Sequence, residues 1–387
     1  MPDHIYTSVE ICAGAGGQAI GLHRAGFEHR ALIELDPNAC QTLRDNIAKL
    51  GGTEDDVHEL DLKLFTKDAK TLPGQYDISD LGLKSGEIDL LAGGVPCPPF
   101  SFAGMQLGKD DERDLFPVML DMVEALQPKA VMIENVRGLL QPEDKFGDYR
   151  ADICRRLRAM KYTVCDWEVL EAVNFQVPQL RPRAILVAMK EPYASHFGKL
   201  PMGDPYHPLT VAQALEESMR ARCDALAGTE HEAAAIAAFT RWQEKAERAA
   251  QPLPLRGVAP TLVGGSKKHG GADLGPTRAK RAWATLGVNG LGVADEDPTS
   301  SPERHFLREE GPMLTVTQAA IIQGFPADWE FYGRKTAAYR QVGNAFPPPV
   351  AAAVAAQIRQ AIEDGAAGMT PPAPRQRAVR EKQLSLV

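Results

Sequence analysis

The sequence predicts an α/β protein: a large domain built on a doubly wound sheet, with a smaller region inserted before its C-terminal end. Three observations carry this. Short apolar runs alternate with helical patterns through the first 190 residues, as expected for buried strands between helices. A glycine-rich turn follows the first run directly. Chemically distinctive residues cluster just past the ends of the later runs, where ligands sit in sheets of this type.

The strands are predicted at Ser8–Cys12, Ala31–Glu34, Ile88–Ala92, Ala130–Ile133 and Ala184–Met189. Each is a run of four to six residues, mostly apolar, which suits a strand covered on both faces. Between them, Ala19–Ala25, Pro37–Lys49 and Leu115–Leu126 carry helical spacing. Near residue 191 the character changes. Glu191–His207 is rich in Pro and Gly and reads as a linker, and Thr210–Ala250 is rich in Ala and Glu and reads as helical. Gln251–Pro312 carries Gly, Pro and basic residues with little periodicity. Helical patterns return at Val316–Gln323 and from Val350 to about Ile362, and the tail from Gly365 has a disordered composition. The expected division is 1–192 plus 316–364 as the large domain, 193–315 as the insert and 365–387 as the tail.

Composition excludes several classes. Among 387 residues, 44% are hydrophobic and 24% charged, which is ordinary globular usage and enough for two or three domains. No apolar run approaches a membrane span, and no basic segment followed by an apolar core marks a secretory leader. None of the six cysteines forms a CxxC pair, so neither a zinc knuckle nor a disulfide scaffold is suggested. A reduced cytoplasmic enzyme is the simplest class. The net charge of −8 opposes a nucleic-acid partner, yet residues 251–294 hold six Lys and Arg against one acid. Alone, that cluster reads as a solvated loop.

The chemistry begins at VEICAGAGGQAIGL, where Gly14, Gly16 and Gly17 stand between a strand and a helix. Glycines there permit positive φ and close approach of the backbone to a ligand. The spacing is not GxGxxG, and a tight turn with no ligand accounts for it equally well. Glu34 ends the next strand, where an acid accepts from ribose hydroxyls in nucleoside-binding folds. Together the two features favour an adenosine-type cofactor.

Cys97 lies between prolines in GGVPCPPFS, just past a strand. A cysteine held at such a turn is a nucleophile candidate, though a structural role stands at even odds. The strand AVMI ends in Glu134-Asn135-Val136. Gln179, Arg181 and Arg183, in QLRPR, alternate onto one face of an extended segment. Two guanidiniums there require anionic or carbonyl partners if buried. An ordinary acid and a surface ion-pair set remain the plain alternatives for each piece.

In order along the chain, CAGAGG at 12–17, Glu34, PCPPFS at 96–101, ENV at 134–136, QLRPR at 179–183, LTVTQAAIIQGFP at 314–326 and QVGNAFPPPVA at 341–351 resemble the DNA (cytosine-5)-methyltransferases of the bacterial type. The matches span nearly the whole chain outside 191–310. The resemblance implies a SAM-dependent methyltransferase fold (Rossmann-like) with an inserted target-recognition domain. It implies methyl transfer from S-adenosyl-L-methionine to C5 of a cytosine in a specific duplex DNA sequence, through a Cys97–C6 adduct and a flipped-out base. It assigns Cys97 as nucleophile, Glu134 to N3 and the amino group of the base and Arg183 to O2, with Arg181 and Gln179 supporting the site. The cofactor would be held at Cys12, Ala13, Gly14, Gly16, Gly17, Glu34, Leu35, Asp77, Ile78, Pro96, Asn344 and Ala345. Asp77 matches the acid for the adenine amino group, with Asp61 as runner-up. The substrate would meet Ser101, Arg113, Asn135, Val136, Gln179, Thr261, Lys267 and Lys268, Ser101–Phe116 resembling a mobile loop and Thr261-Leu262 a recurring pair of recognition domains. No metal is implied. A monomer in the cytoplasm, associated with the nucleoid, is expected, with a cognate restriction endonuclease as genetic partner.

Two departures stand out. Cys12 occupies a position where the family commonly places Phe, so an aromatic contact to adenine is lost and tighter packing is expected elsewhere. Pro98-Pro99 gives CPPF a faint likeness to amino-methyltransferases, but cysteine accepts hydrogen bonds poorly and ENV and QLRPR have no role in that chemistry. The tRNA-methylating branch shares the catalytic motifs, but its Cys-Phe-Thr signature is absent and residues 191–310 are long. A catalytically dead binding protein is opposed by intact Cys97, Glu134 and Arg183.

Overall fold

The computed structural model describes residues 4–95, 114–142, 146–251, 254–264 and 272–372. Seven strands form one sheet in the order β3-β2-β1-β4-β5-β7-β6. They are β1 (Tyr6–Ile11), β2 (Phe27–Glu34), β3 (Val57–Glu59), β4 (Leu90–Gly93), β5 (Ala130–Val136), β6 (Thr163–Glu171) and β7 (Pro182–Met189). The first five pair in parallel, whereas β7 runs antiparallel between β5 and β6. The strand order reverses at β1, flanked by β2 and β4, which opens a crevice at their carboxyl ends.

The sheet is covered on both faces, as the continuous apolar runs require. Val9, Ile11, Ile33, Leu91 and Ile133 pack against α3 (Phe116–Leu126) and α4 (Gly147–Ala159). Phe27, Leu90, Met132, Ile185 and Val187 pack against α12 (Pro348–Ala366), which also meets α1 (Gly17–Arg24). The tail therefore begins later than composition suggested: Gly365 and Ala366 close α12, because Gly365 is buried against Tyr193. Residues 373–387 lie outside the described residues.

All five predicted strands form, with ends moved by up to four residues. Two others, β3 and β6, went unread. The first is three residues long, and the second, TVCDWEVLE, mixes charged with apolar residues because it is the half-covered edge. The helix expected at Pro37–Lys49 is α2 (Pro37–Asn46) followed by a 3-10 turn. The expected linker is partly built: α5 (Ala194–Phe197) buries Phe197, and Leu200 beside it, in the α12 cluster.

The stretch 210–250 is helical, as α6 (Val211–Asp224) and α7 (Glu232–Ala249). Beyond it come α8 (Thr277–Thr285), α9 (Pro302–His305), α10 (Val316–Gln323) and α11 (Lys335–Asn344). α8 and α11 were unreadable as helices because their polar sides outnumber the apolar anchors. The insert's apolar side chains, including Trp242 and Trp283, join Leu43, Ala319 and Val342 in a third buried cluster. Arg222 of α6 fastens the two parts, donating to the Met313 carbonyl and Gln318 Oε1, each at 2.8 Å.

Candidate active site

A cavity of about 230 Å³ opens at the carboxyl ends of β1, β2 and β5. Its wall includes Cys12–Ala15, Gly17, Glu34, Gly94, Glu134, Asn344 and Ala345, so residues from five stretches of sequence meet there. Gly14 and Gly16 have positive φ, 55° and 87°, which lets the turn fold tightly beneath the cavity. Cys12 also has a positive φ of 51°, unusual for a side-chain-bearing residue. Burial pushes its thiol pKa up, with the Glu34 charge adding to the effect.

Glu34 is fixed by the backbone around it. Oε2 accepts from Gly14 N, and Oε1 from Leu35 N and Asp36 N, each at 2.8 Å. Those bonds couple the glycine turn to the tip of β2. Packing beneath the turn comes from a distant segment: the Trp329 indole donates to the Ala15 carbonyl at 3.0 Å, and a Cβ on Gly16 would stand 2.8 Å from that ring.

At the other end of the cavity Glu134 pairs with Arg183. Arg183 Nε lies 2.7 Å from Glu134 Oε1, with both side chains about 15% exposed. The register of β5 on β7, with Val136 opposite Arg183, sets the two side by side. Gly94 leaves room for the carboxylate: a Cβ there would be 2.9 Å from Glu134 Oε2. Asn135 donates to the Val95 carbonyl at 3.1 Å and accepts from Val136 N at 2.8 Å, bracing the chain that leads to Pro96 and Cys97. Pro96, Cys97, Ser101, Arg113, Lys267 and Lys268 themselves lie outside the described residues.

Arg181 and Gln179 stand behind this surface, away from the cavity wall. Arg181 is 1% exposed, and its guanidinium donates to the carbonyls of Leu262 (2.7 Å), Gly343 (2.9 Å) and Ala345 (2.9 Å). Burial pulls its pKa well below the usual arginine value, with Arg183 adding to the effect. Gln179 donates to the Ile322 carbonyl and Gln323 Oε1 and accepts from Leu262 N at 3.1 Å. The carbonyl partners demanded by a buried guanidinium thus exist, but they belong to backbone.

Thr261 Oγ1 donates to the Leu180 carbonyl, so the 259–262 segment zips onto QLRPR. Asp77 and Ile78 do not line the cavity. Asp77 caps a 3-10 turn, accepting from Ser79 and pairing with Lys70 at 3.5 Å. Asp61 does not line the cavity either; it follows the tip of β3 next to the strand of Glu34, and its charge reaches Cys12 and Tyr76. Leu35 and Val136 flank the site, Leu35 being 58% exposed. Sequence reasoning missed Glu10, Gln18, Asp36 and Arg340, all on the cavity wall. Gln18 and Arg340 border recognised motifs, which was the available signal.

The fold and site define an α/β protein whose crevice joins an oriented carboxylate, Glu34, to an acid–guanidinium pair, Glu134 and Arg183. The chain belongs to the C-5 cytosine-specific DNA methylases, whose family model matches residues 6–360. It is 47% identical over 355 residues to Type II methyltransferase M.NaeI of Lentzea aerocolonigenes, covering 92% of this chain and 75% of that protein. To Type II methyltransferase M.NgoMIV of Neisseria gonorrhoeae it is 43% identical, covering 92% and 98%. The structure resembles that of methyltransferase EhMeth of Entamoeba histolytica at a TM-score of 0.56 and 13% identity, covering 94% and 99%. The protein is a DNA cytosine-5 methyltransferase. Among the described residues, no helix is long and apolar enough to cross a membrane.

Proposed function

We propose that this protein methylates C5 of one cytosine in a specific duplex DNA sequence with S-adenosyl-L-methionine as donor, through a covalent adduct between Cys97 and C6 of a flipped-out base. The observation that carries this is the Glu134–Arg183 pair at one end of a cavity whose other end is Glu34. When bound, the donor supplies an electrophilic methyl group.

The chain's own residues do the rest. Cytosine C5 is a poor nucleophile, so the ring must be activated. The Cys97 thiolate adds to C6, and the electron pair moves toward N3, where Glu134 receives the developing charge by hydrogen bonding or proton donation. Arg183 steadies the Glu134 carboxylate through Oε1 and binds the base carbonyl O2, while Oε2 over Gly94 faces the base. C5 then attacks the methyl group. Removal of the C5 proton by a base expels Cys97 and restores the ring.

The fit to an adenosine-type donor is supported by the oriented Glu34 carboxylate and by buried polar atoms of Glu10 and Gln18 that face the cavity without protein partners. Glu34 would take the ribose. Asp61, past the β3 tip, suits the adenine amino group better than Asp77, which is engaged with Lys70. The region 193–315 is the proposed target-recognition domain. The exposed Arg278 and Arg281 of α8 join Lys267 and Lys268 as phosphate contacts. The enzyme acts as a monomer in the cytoplasm, with a cognate restriction endonuclease as genetic partner.

The test uses labelled methyl donor with duplex DNA of mixed sequence and, separately, bulk tRNA, for wild type and Cys97→Ser. Labelled 5-methylcytosine in DNA, lost in the variant, is expected. Label in tRNA, or N4-methylcytosine in DNA, overturns the proposal.

A further inference from the structure

Cys97 and Arg113 belong to the stretch 96–113, outside the described residues, but the residues on either side of that stretch are in place. On the entering side, Asn135 of β5 donates to the Val95 carbonyl at 3.1 Å. On the leaving side stands Asp114, with both carboxylate oxygens engaged. Oδ1 accepts from the backbone N–H of Phe116, the first residue of α3, at 3.0 Å. Oδ2 accepts from the Tyr149 hydroxyl at 2.6 Å. Tyr149 lies in the first turn of α4. Its ring meets Phe116 edge-on, with centroids 5.8 Å apart and planes at 87°. Phe116 is 2% exposed and belongs to the core beneath the sheet, which gives the tyrosine ring a fixed seat.

A hydroxyl donating to a carboxylate forms one of the shorter and stronger hydrogen bonds available to side chains. The two rings already join α3 to α4, so the hydroxyl adds little to that packing. What it adds is a fixed place for Asp114, which is peptide-bonded to Arg113. Placement matters for a nucleophile that must add to C6, because reacting atoms have to approach within about 3–3.5 Å, and a misplacement of about 1 Å costs about a hundredfold in rate. We propose that Tyr149 is a positioning residue for methyl transfer: acting through Asp114, its hydroxyl fixes the leaving end of the stretch that holds Cys97 and Arg113, as Asn135 fixes the entering end. The assignment rests on Cys97 as the nucleophile. Tyr149 is absent from the cavity wall, so it acts on the reaction through Asp114 and without touching base or donor.

The experiment uses the full chain, S-adenosyl-L-methionine and duplex DNA of mixed sequence in which cytosine is replaced by 5-fluorocytosine. Fluorine at C5 leaves no proton to remove after methyl transfer, so the Cys97–C6 bond persists and the adduct is counted on a denaturing gel. Tyr149→Phe keeps the ring on Phe116 and deletes only the hydroxyl. It lowers the rate of adduct formation, and of single-turnover methyl transfer to unmodified DNA, by about tenfold to a hundredfold. Affinities for DNA and for S-adenosylhomocysteine stay within about twofold of wild type. Asp114→Asn is the conservative control: its Oδ1 still accepts from Phe116 N while its amide donates to the Tyr149 oxygen, and its rates stay within about threefold of wild type. Melting of both variants well above the assay temperature establishes that they fold. Tyr149→Phe rates within twofold of wild type overturn the assignment. So does a parallel fall in both affinities, the mark of a role confined to packing α4 on α3, and so does an Asp114→Asn loss as large as that of Tyr149→Phe. Wild type that methylates DNA without forming the adduct refutes Cys97 as nucleophile, and the assignment with it.

Discussion

Replacing Arg181 by lysine tests how the active site is held together. The arginine is buried, and its fork spans three carbonyls from two parts of the chain: Leu262 in the 254–264 segment, and Gly343 and Ala345 at the end of α11. Lysine keeps the positive charge but offers one short-range donor group in place of a planar fork. It can serve one of those carbonyls, and the Ala345 carbonyl also accepts from Gln323 Nε2, so one buried acceptor loses its partner. At about 1–3 kcal/mol for an unsatisfied group, the variant loses about 1–3 kcal/mol of stability. With an unfolding entropy of about 2 cal/mol/K per residue, that lowers the melting temperature by about 1–4 °C. Urea denaturation and a thermal scan, each followed by far-UV circular dichroism, measure this directly. Because Arg181 touches backbone behind the cavity, the affinities for DNA and for S-adenosylhomocysteine fall together, in contrast to an Arg183 substitution, which acts on the base. A variant with unchanged urea midpoint and melting temperature would refute the clasp.

Two further outcomes follow from the geometry. His29 is buried between Ser8, at 3.0 Å from Nδ1, and the Ala19 carbonyl, at 3.0 Å from Nε2, and burial lowers its pKa to about 4. The folded state therefore disfavours the charged ring. This stabilising difference is intact above about pH 6.5 and is lost as pH falls toward 4, costing about 2 kcal/mol at pH 5. A His29→Gln variant should show a flatter stability profile between pH 7 and 5; parallel profiles would contradict the assignment. Gly343→Ala places a Cβ 2.4 Å from the Gly264 nitrogen, backbone against backbone, with no flexible side chain to yield. We expect a loss of at least about 2 kcal/mol together with weakened DNA binding, measured by chemical denaturation and by filter binding of duplex DNA.

Much of the site was legible in the residues. Glu34 and Glu134 were marked by standing at strand tips, because a parallel sheet with helices on both faces leaves only its carboxyl ends open to ligands. The requirement that buried guanidiniums find partners was also readable from QLRPR, and both partners exist. Local sequence likewise determined α10 to the residue, since Thr315 and Gln318 form a reciprocal cap and Gly324, at φ 89°, ends the helix.

Tertiary structure decided which partner each group took. Arg181 and Arg183 are two residues apart and chemically identical, yet one grips backbone at residues 262, 343 and 345 and the other pairs with Glu134 on the neighbouring strand. Likewise Asp61 and Asp77 are both acids just before a short 3-10 turn, and the position of β3 beside β2 brings the former near Cys12 and the Glu34 strand. Glu10 looked like one more residue of a buried strand; its orphaned carboxyl emerged once α1 and α11 closed over it. The physical reason is common to all three. Residue type and strand position are local properties, legible in any short window, whereas desolvation and hydrogen-bond partnership depend on which segments, hundreds of residues apart, the fold packs together.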